Sequence, residues 1–212
     1  MTRALLVGLA AGIIVLGVAD TASACQKSSN PLLDDNFKNA DPGWGQADDI
    51  AAFTPQGLIL KPPPSGSAWR SNSGYTMARA DWCVQVVNPT PLPMPADEDA
   101  VGSVGLWFWG QDSQNFYTAT ITLDGKAEID RLNSGAWQIV VPPAAAMSVK
   151  TAPGAVNELE IITDGPKATF CVNGVLVAET KGRPPPDGGS PGIYAESGPN
   201  GTTWVFPRAR LY

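Results

Sequence analysis

Along most of the chain, apolar and polar residues alternate with a period of two. Trp82, Val84 and Val86 alternate with Asp81, Cys83 and Gln85; Val104, Leu106 and Phe108 with Gly105, Trp107 and Trp109. Tyr117, Ala119, Ile121 and Leu123 alternate with Phe116, Thr118, Thr120 and Thr122. This is the pattern of half-buried β-strands, whose side chains point to opposite faces in turn. Leu159 with Ile161, Phe170 with Val172, and Val205, Ala209 and Leu211 around Pro207 carry it to the C-terminus. Asp124-Gly125, Asn133-Ser134-Gly135, Asp164-Gly165 and Asn173-Gly174 separate the runs, and such pairs favour the positive φ of tight hairpins. The spacing predicts ten to twelve sequential antiparallel strands, hence an all-β, two-sheet sandwich or jelly roll. Ala47 to Phe53 and Pro143 to Lys150 have room for a turn or two of helix, too short to form a layer.

Residues 1–24 read differently. Arg3 gives a small positive n-region, Ala4 to Val18 an apolar run and Ala22-Ser23-Ala24 a small-residue cleavage site, the plan of a secretory signal peptide. The run is shorter than the ~20 residues of a spanning helix. Residues 25–212 are then one domain's worth of chain, with no fixed-period repeat or long linker. The segment predicts secretion to the periplasm or beyond. A lipoprotein anchored at Cys25 is the alternative, and the only route to a membrane, although Ala22 stands where a lipobox carries Leu.

Composition narrows the chemistry. The 212 residues include 22 Gly and 20 Pro, as expected for many turns, and no histidine. That excludes Ser-His-Asp and Cys-His catalysis, His-ligated zinc and HExxH proteases. A net charge of −6 and the lack of a Walker-type phosphate loop argue against a nucleic-acid partner. Three cysteines leave one over. Secretion allows any of three single bridges among Cys25, Cys83 and Cys171, whereas lipidation would leave Cys83 to pair with Cys171. Cys83 follows Trp82 and Cys171 follows Phe170, so both point away from the apolar faces of their strands and a bridge beneath the core is disfavoured. The acidic triplet Asp97-Glu98-Asp99 lies in a Pro-rich loop and lacks the alternating spacing that aims carboxylates at calcium, so it reads as solvated.

From residue 104 on, Gly105-Leu106-Trp107-Phe108, Asp112, Asn115-Phe116-Tyr117, Asp124-Gly125, Arg131, Gly135 and Trp137 succeed one another. Asn157-Glu158-Leu159-Glu160-Ile161 and Phe170-Cys171-Val172-Asn173-Gly174 follow. The succession resembles concanavalin A-like lectin/glucanase domains, in their laminin G-like and keto-disaccharide-hydrolase-like branches. Asp35-Asn36-Phe37 with Gly43-Trp44, and Trp204 to Tyr212, fit that jelly roll's paired terminal strands. The resemblance implies two curved antiparallel sheets, a concave saccharide-binding face in many members and a structural calcium in some; no other cofactor is implied. In family 16 glycoside hydrolases of this fold a strand motif Glu-x-Asp-x-(x)-Glu carries catalysis. Here Glu128-Ile129-Asp130 matches its first half, but Leu132 and Asn133 stand where the last Glu would fall. Glu128 and Asp130 are therefore expected to be solvated or ion-paired residues flanking Arg131, and no catalytic residue is assigned.

Stacking is the remaining saccharide chemistry. Alternation places Trp107 and Trp109 together on the face opposite Leu106 and Phe108, ~6.8 Å apart along the strand, a spacing suited to a sugar chain. The expected ligand site is this pair with Trp137, and with Asp112, Asn115 and Arg131 supplying edge hydrogen bonds; the alternative is that loops or another chain cover this face and make both tryptophans ordinary core. The partner is a saccharide or cell-surface glycan, and the expected function is a secreted, non-catalytic carbohydrate-binding or surface-interaction module. A glycoside-acting enzyme and a structural envelope protein are the alternatives.

Overall fold

The computed structural model describes Cys25, residues 30–90 and residues 102–212. The expected signal segment and the Asp97-Glu98-Asp99 triplet lie outside them. Fourteen strands are described: β1 (Leu33–Asp35), β2 (Ala51–Thr54), β3 (Gly57–Leu60), β4 (Ser67–Ser71), β5 (Ala80–Val87), β6 (Ser103–Asp112) and β7 (Asn115–Thr122). The rest are β8 (Lys126–Asn133), β9 (Ala136–Ala145), β10 (Val156–Asp164), β11 (Lys167–Val172), β12 (Val175–Lys181), β13 (Ser190–Glu196) and β14 (Trp204–Leu211). The two stretches with room for helix became strand and turn instead; among the described residues a single 3-10 turn forms, at Pro42–Trp44.

All pairings are antiparallel. One sheet runs β12-β11-β10-β5-β14-β3-β2 with β1 on β14; the six-stranded sheet runs β4-β13-β6-β7-β8-β9. The expected hairpins turn where the Gly pairs predict. Gly125, Gly165, Ser134-Gly135 and Asn173-Gly174 all have positive φ, so the sequence's turn chemistry sets the register of four hairpins. The core lies between the sheets, where Trp82, Val84 and Val86 meet Val104, Leu106, Phe108, Ala119, Ile121, Leu159, Ile161 and Phe170. The C-terminal strand departs from simple alternation. A bulge between Val205 and Arg208 puts Trp204 and Phe206, rather than Val205, into the core ahead of Ala209 and Leu211. Proline explains the break, since Pro207 has no N–H for the ladder.

Cys25 is bridged to Cys83, and Cys171 takes no part in a disulfide. As alternation requires, the bridge sits on the outer face of the larger sheet. There Cys25 O accepts from Arg210 (2.8 Å) and the Tyr212 hydroxyl (2.7 Å), and Cys25 N donates to Glu158 (3.0 Å).

Candidate functional site

The outer face of the six-stranded sheet is built from the residues that alternate away from the core. Its register aligns Trp69, Tyr194, Gly105, Thr120 and Glu128 in one row across β4, β13, β6, β7 and β8. The next row holds Gly192, Trp107, Thr118, Asp130 and Ile139, and the one beyond it Phe116, Leu132 and Trp137. Towards one end of the face the rings gather. Trp107 stacks on Phe116 at 3.8 Å between centroids and on Trp69 at 6.0 Å, and Trp137 stands edge-on to Phe116 (5.6 Å) and Tyr194 (5.9 Å). Trp137 is 49% exposed, whereas Trp107 is buried inside the stack.

Beside the rings lies a trough of about 390 Å³, lined by Trp137, Ile139, Tyr194, the hydroxyls of Ser103, Thr118 and Thr120, and the carboxylates Glu128, Asp130 and Glu196. Glu196 is fixed, accepting from the Tyr194 hydroxyl (2.6 Å) and from Ser103 (3.0 Å). Thr120 donates to Glu128 (3.3 Å), and Asp130 Oδ1 is buried with no hydrogen-bond partner among the described residues. Burial, then the charges of Glu128 and Glu196, push the Asp130 carboxyl up to about 7. Burial likewise raises Glu128, against the Thr120 hydrogen bond, and raises Tyr194, whose phenol also faces Glu196. A larger hollow of about 670 Å³ lies between the Phe37–Gln46 loop and Phe53-Thr54-Pro55. Its one carboxylate, Asp41, is already engaged by Gly43 N and Asn72, so the trough has the richer chemistry.

The expected site is divided by the structure. Trp107 and Trp137 lie on the trough's face, but Trp109 does not. Its φ of +48° and a bulge between Phe108 and Asp112 turn it to the core side, where it is 4% exposed and meets Phe108 and Tyr117 at 5.1 Å. Gly182 and Gly189 make room, since a Cβ on Gly182 would come within 2.4 Å of the indole and one on Gly189 within 2.5 Å of Trp109 Cα. Arg131 also faces away from the trough, its guanidinium 5.2 Å from the Tyr117 ring centre and bonded to Asn133. Asp112 and Asn115 hold hairpin ends: Asp112 accepts from Gln114 N and the Asn115 amide, and Asn115 accepts from Ser134 N. Glu128 and Asp130 are neither freely solvated nor paired with Arg131, which lies on the other face of β8.

No family model and no curated protein sequence matches the chain. Solved structures do resemble it. The carbohydrate-binding module CBM66 from Bacillus subtilis superposes with a TM-score of 0.62 at 15% identity, over 80% of this chain and 94% of that one. A Bacillus licheniformis β-glucanase gives 0.56 at 13%, over 87% and 99%. A GH43 protein from the same organism gives 0.57 at 12%, over 84% of this chain and 38% of that one. The fold is the concanavalin A-like jelly roll. At such identities the likeness establishes architecture, and the site must be argued from its own residues.

Within this jelly roll, Trp69, Ser103, Tyr194 and Glu196 are trough-face residues that alternation alone did not single out. Gly192, Tyr194 and Glu196 alternate with Ile193 and Ala195, the same signal as the strands read from sequence. What alternation cannot supply is the neighbour. Glu196 lines the same hollow as Glu128 and Asp130 only because β13 sits beside β6, a pairing between residues 80 to 91 positions apart.

Proposed function

We propose that this chain is a secreted, non-catalytic carbohydrate-binding module whose saccharide lies in the trough on the outer face of the six-stranded sheet. One observation carries the reading: a half-exposed indole, Trp137, stands at the edge of a hollow lined with hydroxyls and carboxylates. Sugar C–H faces pack on indole while their hydroxyls need paired acceptors and donors, and the trough offers both together. The carbohydrate-binding neighbour of the same fold supports it. Glycan-array binding followed by titration calorimetry is the test. Binding that Trp137→Ala weakens about tenfold or more, at unchanged fold, is expected. Absence of glycan binding, or binding indifferent to Trp137, overturns the reading.

Secretion is part of the proposal. The Cys25–Cys83 bridge suits an oxidising compartment and occupies the sulfur that lipidation would need. Intact-mass analysis of the exported protein should find a chain starting at Cys25 with one disulfide, and an added diacylglyceryl mass would replace that assignment with a lipoprotein.

A second reading, glycoside hydrolysis, has one observation in its favour: an acid held near 7 beside another carboxylate in a cleft, the pattern of a proton donor. Against it, Leu132 fills the position of the third motif carboxylate and lies within the aromatic cluster. No turnover on β-glucans is expected. Turnover that Glu128→Gln abolishes would establish the enzyme instead.

A further inference from the structure

Resting on the saccharide reading, we propose that the trough selects sugars carrying free, protonated amino groups over neutral or N-acylated ones. Three carboxylates from two non-adjacent strands line one hollow. Among the described residues, the only basic group acting on Glu128 is Lys126, already held by Asp124 at 2.7 Å, and no basic side chain acts on Asp130. Several carboxylates elsewhere meet cations: Asp34 pairs with Arg208, Asp48 with Arg70, Asp164 with Arg79 and Glu179 with Lys167. The trough keeps its negative charge partly desolvated and unmatched, with one Asp130 oxygen buried and without a donor. A donor that brings positive charge satisfies both needs at once, since charge-assisted hydrogen bonds are the stronger kind.

The arrangement separates an amino sugar from a bare metal ion. Among the described residues, the acidic and thiol ligands that converge within 4.8 Å are Asp81, Cys83 and Glu160, and Cys83 is in the bridge. Glu128, Asp130 and Glu196 form no such cluster. Their spread across the hollow fits ammonium groups distributed along an extended ligand, and Trp137 can take a ring face or a cation at its π surface. The chain's net charge of −6 steers the same ligands towards it and repels acidic glycans.

Calorimetry of the purified protein with a fully deacetylated glucosamine oligomer, its N-acetylated counterpart and a neutral β-glucan of equal length is decisive. At about pH 6.5 the amine-bearing oligomer should bind about tenfold or more tightly than either other, the gap closing as salt rises from about 50 to about 500 mM. Glu196→Gln and Glu128→Gln should each weaken that ligand selectively, whereas Trp137→Ala should weaken all that bind. Equal or tighter binding of the acetylated or neutral oligomer overturns the selectivity and leaves the saccharide reading standing. Failure of every glycan on a wider array overturns both.

Discussion

The two outer faces of the sandwich use charge in opposite ways. On the larger sheet, Asp34 accepts two bonds from Arg208 at 2.6 and 2.7 Å, which hold its carboxyl below the ordinary range, and Arg210 and Tyr212 clamp Cys25 above the bridge to Cys83. On the six-stranded sheet, burial raises Glu128 and Asp130, with Glu196 beside them. A carboxylate matched by its own arginine, as Asp34 is, has little left to offer a ligand. A face that holds desolvated carboxylates against their own preference spends stability on something, and a bound partner is the usual return.

That contrast depends on which residues belong to which face, and Trp109 tests the assignment with the largest expected effect. If it lies in the core, Trp109→Ala removes a buried indole packed on Phe108 and Tyr117 and costs about 3–5 kcal/mol of stability. Thermal and urea unfolding measure it. A variant as stable as the parent would return Trp109 to the outer face beside Trp107 and dissolve the division.

Trp109 also marks where the sequence stops being legible. Through Phe108 the alternation is regular, and every residue it assigns to the core on β5, β6 and β7 is found there or packed against it. The reversal at Trp109 requires a positive φ at a bulky residue, which side-chain pattern does not encode. What permits it is space left by Gly182 and Gly189, more than 70 residues downstream. Across Pro207 the alternation reads straight through with Val205 on the core side, whereas the bulge in β14 puts Trp204 and Phe206 there. The trough was half visible: Glu128, Asp130, Thr118, Thr120 and Trp137 alternate correctly, but Glu196 and Tyr194 join them through a strand crossover that no local pattern records.

The sealed face is tested by its bridge. Cys25 and Cys83 are 58 residues apart, and opening a loop of that size returns enough entropy to the unfolded chain to cost about 2–4 kcal/mol. Cys83→Ser should lower the denaturant midpoint accordingly while leaving glycan binding intact, since the bridge is on the opposite sheet. Loss of binding in a still-folded variant would mean that the two faces are coupled.

The open face should show its cost as pH dependence. The Asp130 carboxyl is pushed up to about 7 in the folded chain from an ordinary value of 3.8, so between those values the folded state holds more protons than the unfolded one. Stability contributed by the neutral carboxyl is therefore present at low pH, declines as pH rises from about 4 to about 7 and is gone above. Solvent reaches the group, so the expected swing is about 1–2 kcal/mol, less than the full shift implies. Asp130→Asn should flatten this part of the pH profile and gain most, relative to the parent, above pH 7. A parent profile that rises across that window would remove the claim that the trough is strained by its own charge.

The smallest stability effect belongs to Trp137, and its smallness is the point. The indole touches Phe116 and Tyr194 edge-on and leaves about half its surface in water, on an edge strand whose other residues are also largely exposed. Truncation loses little buried area, so Trp137→Ala should change unfolding free energy by less than about 1 kcal/mol. A ring kept exposed beside the trough earns its position only through what it contacts from outside, and the same truncation should cost a bound saccharide about 1–3 kcal/mol, roughly ten- to hundredfold in affinity. Paired measurements of stability and affinity on this one variant therefore separate the two roles an aromatic residue can have. A loss of several kcal/mol in stability would place Trp137 with Trp107, as part of the packed stack, and leave the open face without its stacking ring.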